Sequence, residues 1–213
     1  MVWVMEITTK SFSPGGPIPA RHAFAKPHPE SRVTLSENVN PHLEWTGVPD
    51  GTRSFALICH DYDVPGEGSD VNQPDREVPE DLHRVDFFHW VLVDIPAHKT
   101  SIAEGEFSDG VVPGGQDARQ GPHGTRQGLN DFTGWFSGDE DMEGKYYGYD
   151  GCAPPWNDSV LHHYVFTVYA LDVERVGVDG DFTGHDVREA IAGHVLAEAS
   201  LEGTYTQNPR LLS

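Results

Sequence analysis

Three stretches are dense in apolar residues, and their patterns predict strands. Ser54–His60 (SFALICH) is a short apolar run bounded by turn residues, and Asp86–Asp94 (DFFHWVLVD) is a second. Leu161–Leu171 (LHHYVFTVYAL) is the strongest, rich in β-branched and aromatic residues. In the last two, both faces of a period-2 alternation are apolar, which suits central strands buried on both sides, as in a sandwich with a covering layer. One helix is predicted, Thr183–Ala192. Thr183 can cap it, Asp186 sits near its positive end, Val187, Ala190 and Ile191 form an apolar stripe, and Gly193 can end it. His194, just beyond, reads as a packing or capping residue. Between these elements, Pro65–Arg84 and Ser108–Asp150 are acidic, glycine-containing and without period, so they read as loops of a length that usually serves a site or is mobile. The 23 glycines and 16 prolines are scattered and no internal repeat occurs, which favours many short strands joined by turns within one domain spanning residues 1–213.

Charge narrows the possible partners. Asp and Glu number 34 against 14 Lys and Arg, for a formal charge of -20. Such a field repels phosphate backbones and anionic lipid heads, which argues against nucleic acid and membrane insertion. The same surface suits a protein working in high salt, where screening relieves self-repulsion, and equally an acidic mesophile protein. The N-terminal stretch Met1–Ser11 alternates and carries Glu6 and Lys10, unlike a signal peptide, and no segment is long and apolar enough to span a membrane. Cys59 and Cys152 form neither a disulfide framework nor a metal spacing; they read as free thiols of a reducing, cytoplasmic compartment. No cofactor is expected.

Candidate chemistry gathers at the strand ends. Asp61 and Asp63 follow the first run, His89 lies early in the second, and His162 and His163 open the third. If the first two strands pair antiparallel, Asp61 and His89 fall at one end of the sheet, and His162 joins them if its strand runs with the second. Alternation places His162 and Tyr164 on one face with His163 opposite, and His89 with Phe87, Val91 and Val93. A buried histidine among such residues needs a polar partner, and Asp61 is the obvious one. Each residue also has a plainer reading: strand-end histidines as structural hydrogen-bonding groups, Asp61 and Asp63 as turn residues, and Gly148–Pro155 as a rigid turn.

In order along the chain come Ser11-Phe12, Gly16–Pro19, Pro41–Trp45, Gly47–Leu57, Asp61–Pro65 (DYDVP), Phe88–Val91, Ile95–Ala97, Glu104-Gly105, Asn130–Phe132, Gly148–Pro155, His162–Tyr164, Val168–Asp172, Gly193–Ala197 and Leu201–Tyr205. Taken together, this series resembles the phosphatidylethanolamine-binding proteins, in particular their bacterial and archaeal Raf kinase inhibitor-like branch. The resemblance implies a mainly β fold, a β-sandwich with a large antiparallel sheet and few short helices, and a pocket at one end that holds a small anion or the phosphate of a head group. It also implies a kinase or protease as protein partner, and it fits a homodimer. Matched by motif, Asp61 stands for the first Asp of the family's Asp-Pro-Asp-Ala-Pro segment. His89 stands for the His opening the next strand, Ala153, Pro154 and Pro155 for its Gly/Pro loop, and His162 and Tyr164 for the His and Tyr that follow. Tyr62 replaces the usual Pro, Asn40 a usual Ser, the Pro65–Arg84 loop is longer than usual, and a C-terminal pocket helix has no counterpart. The long loop could cover part of the mouth, and the absent helix favours a small, open pocket over a lipid-sized one.

The expected site is a receptor for phosphate, phosphoryl or carboxylate groups. Asp61 raises the pKa of His89 and His162, so that two imidazolium groups donate to the ligand. The backbone from Gly151 to Ala153 adds N–H donors, Pro154 and Pro155 shape the wall, and Tyr164 supplies a hydroxyl. The competing reading is a hydrolase, with Asp61, His89 and His162 as zinc ligands or a His/Asp general base, although no nucleophile or zinc-protease motif occurs. A third is an interaction protein whose acidic loops carry its partners.

Overall fold

The computed structural model describes residues Val4–Leu212; residues 1–3, part of the alternating N-terminal stretch, and residue 213 lie outside the described residues. In chain order the strands are β1 (Glu6–Thr8), β2 (Ala25–His28), β3 (Arg32–Leu35), β4 (Leu43–Thr46), β5 (Ser54–Pro65), β6 (Arg84–Pro96), β7 (Ser101–Ile102), β8 (Gly115–Gln116), β9 (Arg126–Gln127), β10 (Lys145–Tyr146), β11 (His162–Leu171) and β12 (Val195–Tyr205). The helices are α1 (Phe132–Trp135) and α2 (Gly184–Ala190).

Strands apolar on both faces need cover on both sides, and β5, β6 and β11 have it. They lie inside a sheet of order β12-β11-β5-β6-β9 whose neighbours are all antiparallel. On one face Phe55, Leu57, Trp90, Leu92 and Phe166 pack against Ile7, Leu43, Trp45 and Ile102 of the smaller sheet β1-β4-β7. On the other face Ala56, Ile58, Val91 and Val93 pack under Val187 and Ile191 at α2. The mainly β sandwich with a large antiparallel sheet is the architecture the sequence predicts.

The predicted helix forms two residues shorter at its C-terminal end. Thr183 and Asp186 cap it reciprocally, Thr183 Oγ1 accepting from the Asp186 amide and Asp186 Oδ2 from the Thr183 amide. His194 leans on Asp172, with Nδ1 2.8 Å from Oδ1. The alternation in Val195–Tyr205 makes β12, a strand not among the three predicted; Ala199, Leu201 and Tyr205 turn inward and Glu198 and Ser200 outward.

One register detail corrects the sequence reading. Cys59 pairs with Trp90 but His60 with Phe88, so His89 is the extra residue of a β-bulge in β6. The bulge breaks the alternation. His89 stays on the face of Phe87, while Val91 and Val93 belong to the opposite core. Phe88 thereby keeps its place under α2, and the imidazole turns toward the end of the sheet.

Candidate functional site

Antiparallel pairing of β5 with both β6 and β11 brings the strand ends together. Asp61 stands across from Phe87 on one side and Tyr164 on the other. The condition on β11 is therefore met, and Asp61, His89 and Tyr164 form the floor of a cavity of about 620 Å³.

Each floor residue has a fixed hydrogen-bonding role. Asp61 Oδ1 accepts from the Asp63 amide at 2.8 Å and Oδ2 from His162 Nδ1 at 2.6 Å. His89 Nδ1 lies 2.8 Å from the carbonyl of Asp150, which can only accept, so Nδ1 carries the proton and Nε2 meets the cavity as an acceptor. Burial holds the His89 pKa down at about 4, over the opposing pull of Asp61 and of nearby carbonyls. His89 is thus a neutral imidazole rather than an imidazolium. The buried Tyr164 hydroxyl makes no hydrogen bond of good geometry among the described residues, although Asp61 and Cys152 lie beside it, and burial with the Asp61 carboxylate pushes its ionisation far up, so it keeps its proton. Gln207 donates from Nε2 to the Pro154 carbonyl at 2.7 Å, leaving Oε1 buried and unpartnered at the cavity wall.

His162 does not line the cavity. It lies behind Asp61, fully buried, with Nδ1 on Asp61 and Nε2 3.1 Å from Asp158 Oδ2. Burial opposes a charge there, but the two carboxylates outweigh it and raise the His162 pKa to about 9. Arg84 grips Asp158 with both terminal nitrogens, at 2.6 and 3.0 Å. Burial works against the Asp158 charge too, yet His162 and Arg84 hold its pKa below the usual range. The result is a buried chain of alternating charge, Arg84–Asp158–His162–Asp61. Asp63 has a local role, accepting from the His163 amide and facing its Nδ1 on the outer side, while Tyr62 stacks on the His163 ring.

Gly151 lies outside the cavity as well. Its amide donates to Asn38 Oδ1 at 2.8 Å, so it is no free anion donor, and a Cβ there would sit 1.9 Å from the His22 carbonyl oxygen. The close backbone approach requires glycine. Gly151→Ala is expected to cost roughly 1–3 kcal/mol by overpacking, read as a lower urea midpoint. Ala153, Pro154 and Pro155 do form wall. Behind His89, the buried Asp150 takes 2.7 Å hydrogen bonds from Asn38 Nδ2 and Asn130 Nδ2. Burial nevertheless raises its pKa to about 7 against those two donors.

The remaining walls are mostly apolar: Phe24, Val33, Phe87, Phe132, Phe136 and Trp156. Phe24 stacks on Phe132 with ring centres 4.3 Å apart. The cavity is therefore larger and more aromatic than the small pocket expected, because the hairpin β2-β3, α1 and the β5–β6 loop all contribute wall. Its other carboxylates are Glu67, Asp139 and Asp141, and among the described residues no Lys or Arg lines it. Polar capacity at the floor is thus weighted to acceptors: Asp61, His89 Nε2 and Gln207 Oε1 against the Tyr164 donor. A zinc site of Asp61, His89 and His162 is not available, since both His162 nitrogens already face carboxylates. Arg84, Asp158, Asp150 and Gln207 were not found from sequence. Arg84 opens β6 just before the predicted strand Asp86–Asp94, Asp150 lies within the Gly148–Pro155 turn, and Asp158 and Gln207 lie outside every predicted strand.

A family model for phosphatidylethanolamine-binding proteins matches residues 8–206. The UPF0098 protein YbhB of Escherichia coli is 32% identical over 203 residues, 95% of this chain and 100% of that protein. A UPF0098 protein of Methanothermobacter thermautotrophicus is 34% identical over 94% of this chain and 98% of its own length. Among solved structures, Escherichia coli YbcL, described as a new member of the mammalian PEBP family, superposes with a TM-score of 0.67 at 28% identity, covering 95% of this chain and 98% of its own.

Proposed function

The chain belongs to the phosphatidylethanolamine-binding protein family, and from that premise we propose that it is a non-catalytic binding protein whose cavity takes a ligand with a proton-bearing oxyanion head, phosphoryl or carboxyl. The observation that carries this reading is the buried, unpartnered Tyr164 hydroxyl beside two acceptors, Asp61 and the neutral His89 Nε2. An unpaired buried polar group costs about 1–3 kcal/mol, which a ligand oxygen accepting from Tyr164 relieves. The acceptors make the opposite demand, for a head group with an O–H to give. A monoprotonated phosphoryl group meets both: P–O⁻ on Tyr164, P–OH on Asp61 or His89.

This chemistry differs from a pair of imidazolium donors, and two probes separate them. Inorganic phosphate should bind at neutral pH, where it still carries a P–OH, whereas a phosphate monoester such as phenyl phosphate should lose affinity as pH rises through roughly 6–7, where its phosphoryl group gives up its last proton. Sulfate has the same shape but no proton, and should bind at least about tenfold more weakly, because its oxygens face bare acceptors. Tyr164→Phe should weaken phosphate by about tenfold, near 1.4 kcal/mol. Calorimetry with both anions is the test; equal affinity for sulfate and phosphate would restore the imidazolium picture. The family resemblance adds a protein partner, a kinase or protease, whose activity the occupied cavity would modulate.

A further inference from the structure

We propose that the β5–β6 loop, residues 66–83, is a specificity wall that receives the apolar body of the ligand, and that Asn157 is the residue that positions it. The proposal rests on the cavity being the ligand site, though not on the head group being an oxyanion.

A polar segment of this length has few apolar side chains with which to fix itself. Asn157 supplies the fixing. Its Nδ2 faces three loop carbonyls, those of Asp70 at 2.8 Å, Arg76 at 3.1 Å and Gln73 at 3.3 Å, and its Oδ1 accepts from the Asn72 amide at 2.8 Å. One buried amide thus pins both arms of the loop. Asn72 holds a left-handed backbone, φ 57°, and returns the contact by accepting from the Trp156 amide at 3.0 Å. Farther along, the Val78 amide donates to the Asn157 carbonyl, and Ser159 donates to the Val78 carbonyl through both its amide and its hydroxyl. Val78 is fully buried there as the anchor. Arg84 closes the loop by donating to the Pro79 carbonyl while it holds Asp158.

Five loop residues face the cavity as a consequence: Gly66, Glu67, Gly68, Val71 and Asn72. Val71 is the one apolar side chain among them, and it is buried at the wall rather than turned into solvent. Asp61 and Tyr164 lie on the sheet and are held by neither Asn157 nor the loop. The wall and the floor are therefore separable: the loop sets what shape of body fits, the sheet sets which head is held.

The test uses N-phenyl-1-naphthylamine, a neutral apolar fluorophore without an acidic head, titrated against the full chain beside a phosphate titration. The wild-type chain should bind the fluorophore saturably. Asn157→Ala, which frees the loop, should weaken it by about tenfold while phosphate affinity stays within about twofold. Val71→Trp leaves the anchors intact and fills the wall, so it should abolish fluorophore binding and spare phosphate; it carries the test alone if Asn157→Ala fails to fold. Unchanged fluorophore affinity in Val71→Trp, or no saturable binding by the wild type, overturns the wall. Loss of fluorophore in the variants with no phosphate binding by the wild type would sink the oxyanion head and leave the wall standing.

Discussion

Asp158→Asn should lower the stability of the chain by about 3 kcal/mol, the low end of what removing one member of a buried ion pair costs, because Arg84 keeps some contact with solvent. The substitution preserves shape and removes one charge. Arg84 then loses the carboxylate it grips with two nitrogens, and His162 keeps a single carboxylate for two donors. Against a typical total of about 5–15 kcal/mol, such a loss is easily read as a fall in urea midpoint at constant slope. The mechanism makes a second, sharper claim. If the cost is mainly stranded charge, Asp158→Asn combined with Arg84→Met should be less destabilised than the sum of the two single variants. Additivity of the two would show that they act apart, and the buried chain of charge would be only a coincidence of positions.

The strands that build the floor were legible because their apolar runs are dense and bounded by turn residues, and in the third β-branched and aromatic residues dominate. Antiparallel pairing of β5 and β6, which the sequence left as a condition, places Asp61 and His89 at one end. Alternation then misled at one residue. Nothing in Asp86–Asp94 announces that His89 is a bulge, since the bulge arises from matching β6 to β5 and α2, a tertiary demand with no local signature. The chemistry was misjudged for a related reason. Proximity of Asp61 to two histidines suggested two imidazolium groups, but charge state depends on what lies on the far side of each ring. His162 has a second carboxylate there, Asp158; His89 has a backbone carbonyl and full burial. The cavity walls were the least legible part. Phe24, Phe132 and Trp156 come from segments without period, and only the folded loops and hairpin bring them together.

The doubly paired imidazole also sets how stability should depend on pH. The His162 pKa stands at about 9 in the fold against 6.5 for the free group, so its stabilising charge is fully present below pH 6.5 and is lost as pH rises toward 9. Two other buried groups act lower on the scale and in opposite directions. His89, held near 4, makes the fold gain stability as pH rises from 4 to 6.5, while Asp150, raised to about 7, makes it lose stability over much the same span. They offset each other below pH 7; above it His89 is flat and the tail of the Asp150 titration adds a loss of about 0.4 kcal/mol. Near pH 9 the unfolded thiols of Cys59 and Cys152 begin to ionise while burial keeps the folded ones protonated, which adds to the loss. His162 therefore dominates the span from about pH 7 to about pH 8.5, and the fold should lose on the order of 2 kcal/mol across it, at about 1.4 kcal/mol per pH unit. His162→Gln should be less stable than the wild type at pH 7 and should lose most of the slope over the same span, keeping only the small Asp150 tail. Urea midpoints of both chains at the two ends of the span decide the matter: a flat wild-type profile would mean that Asp61 and Asp158 do not hold a proton between them, and the orientation of the cavity floor would need another cause.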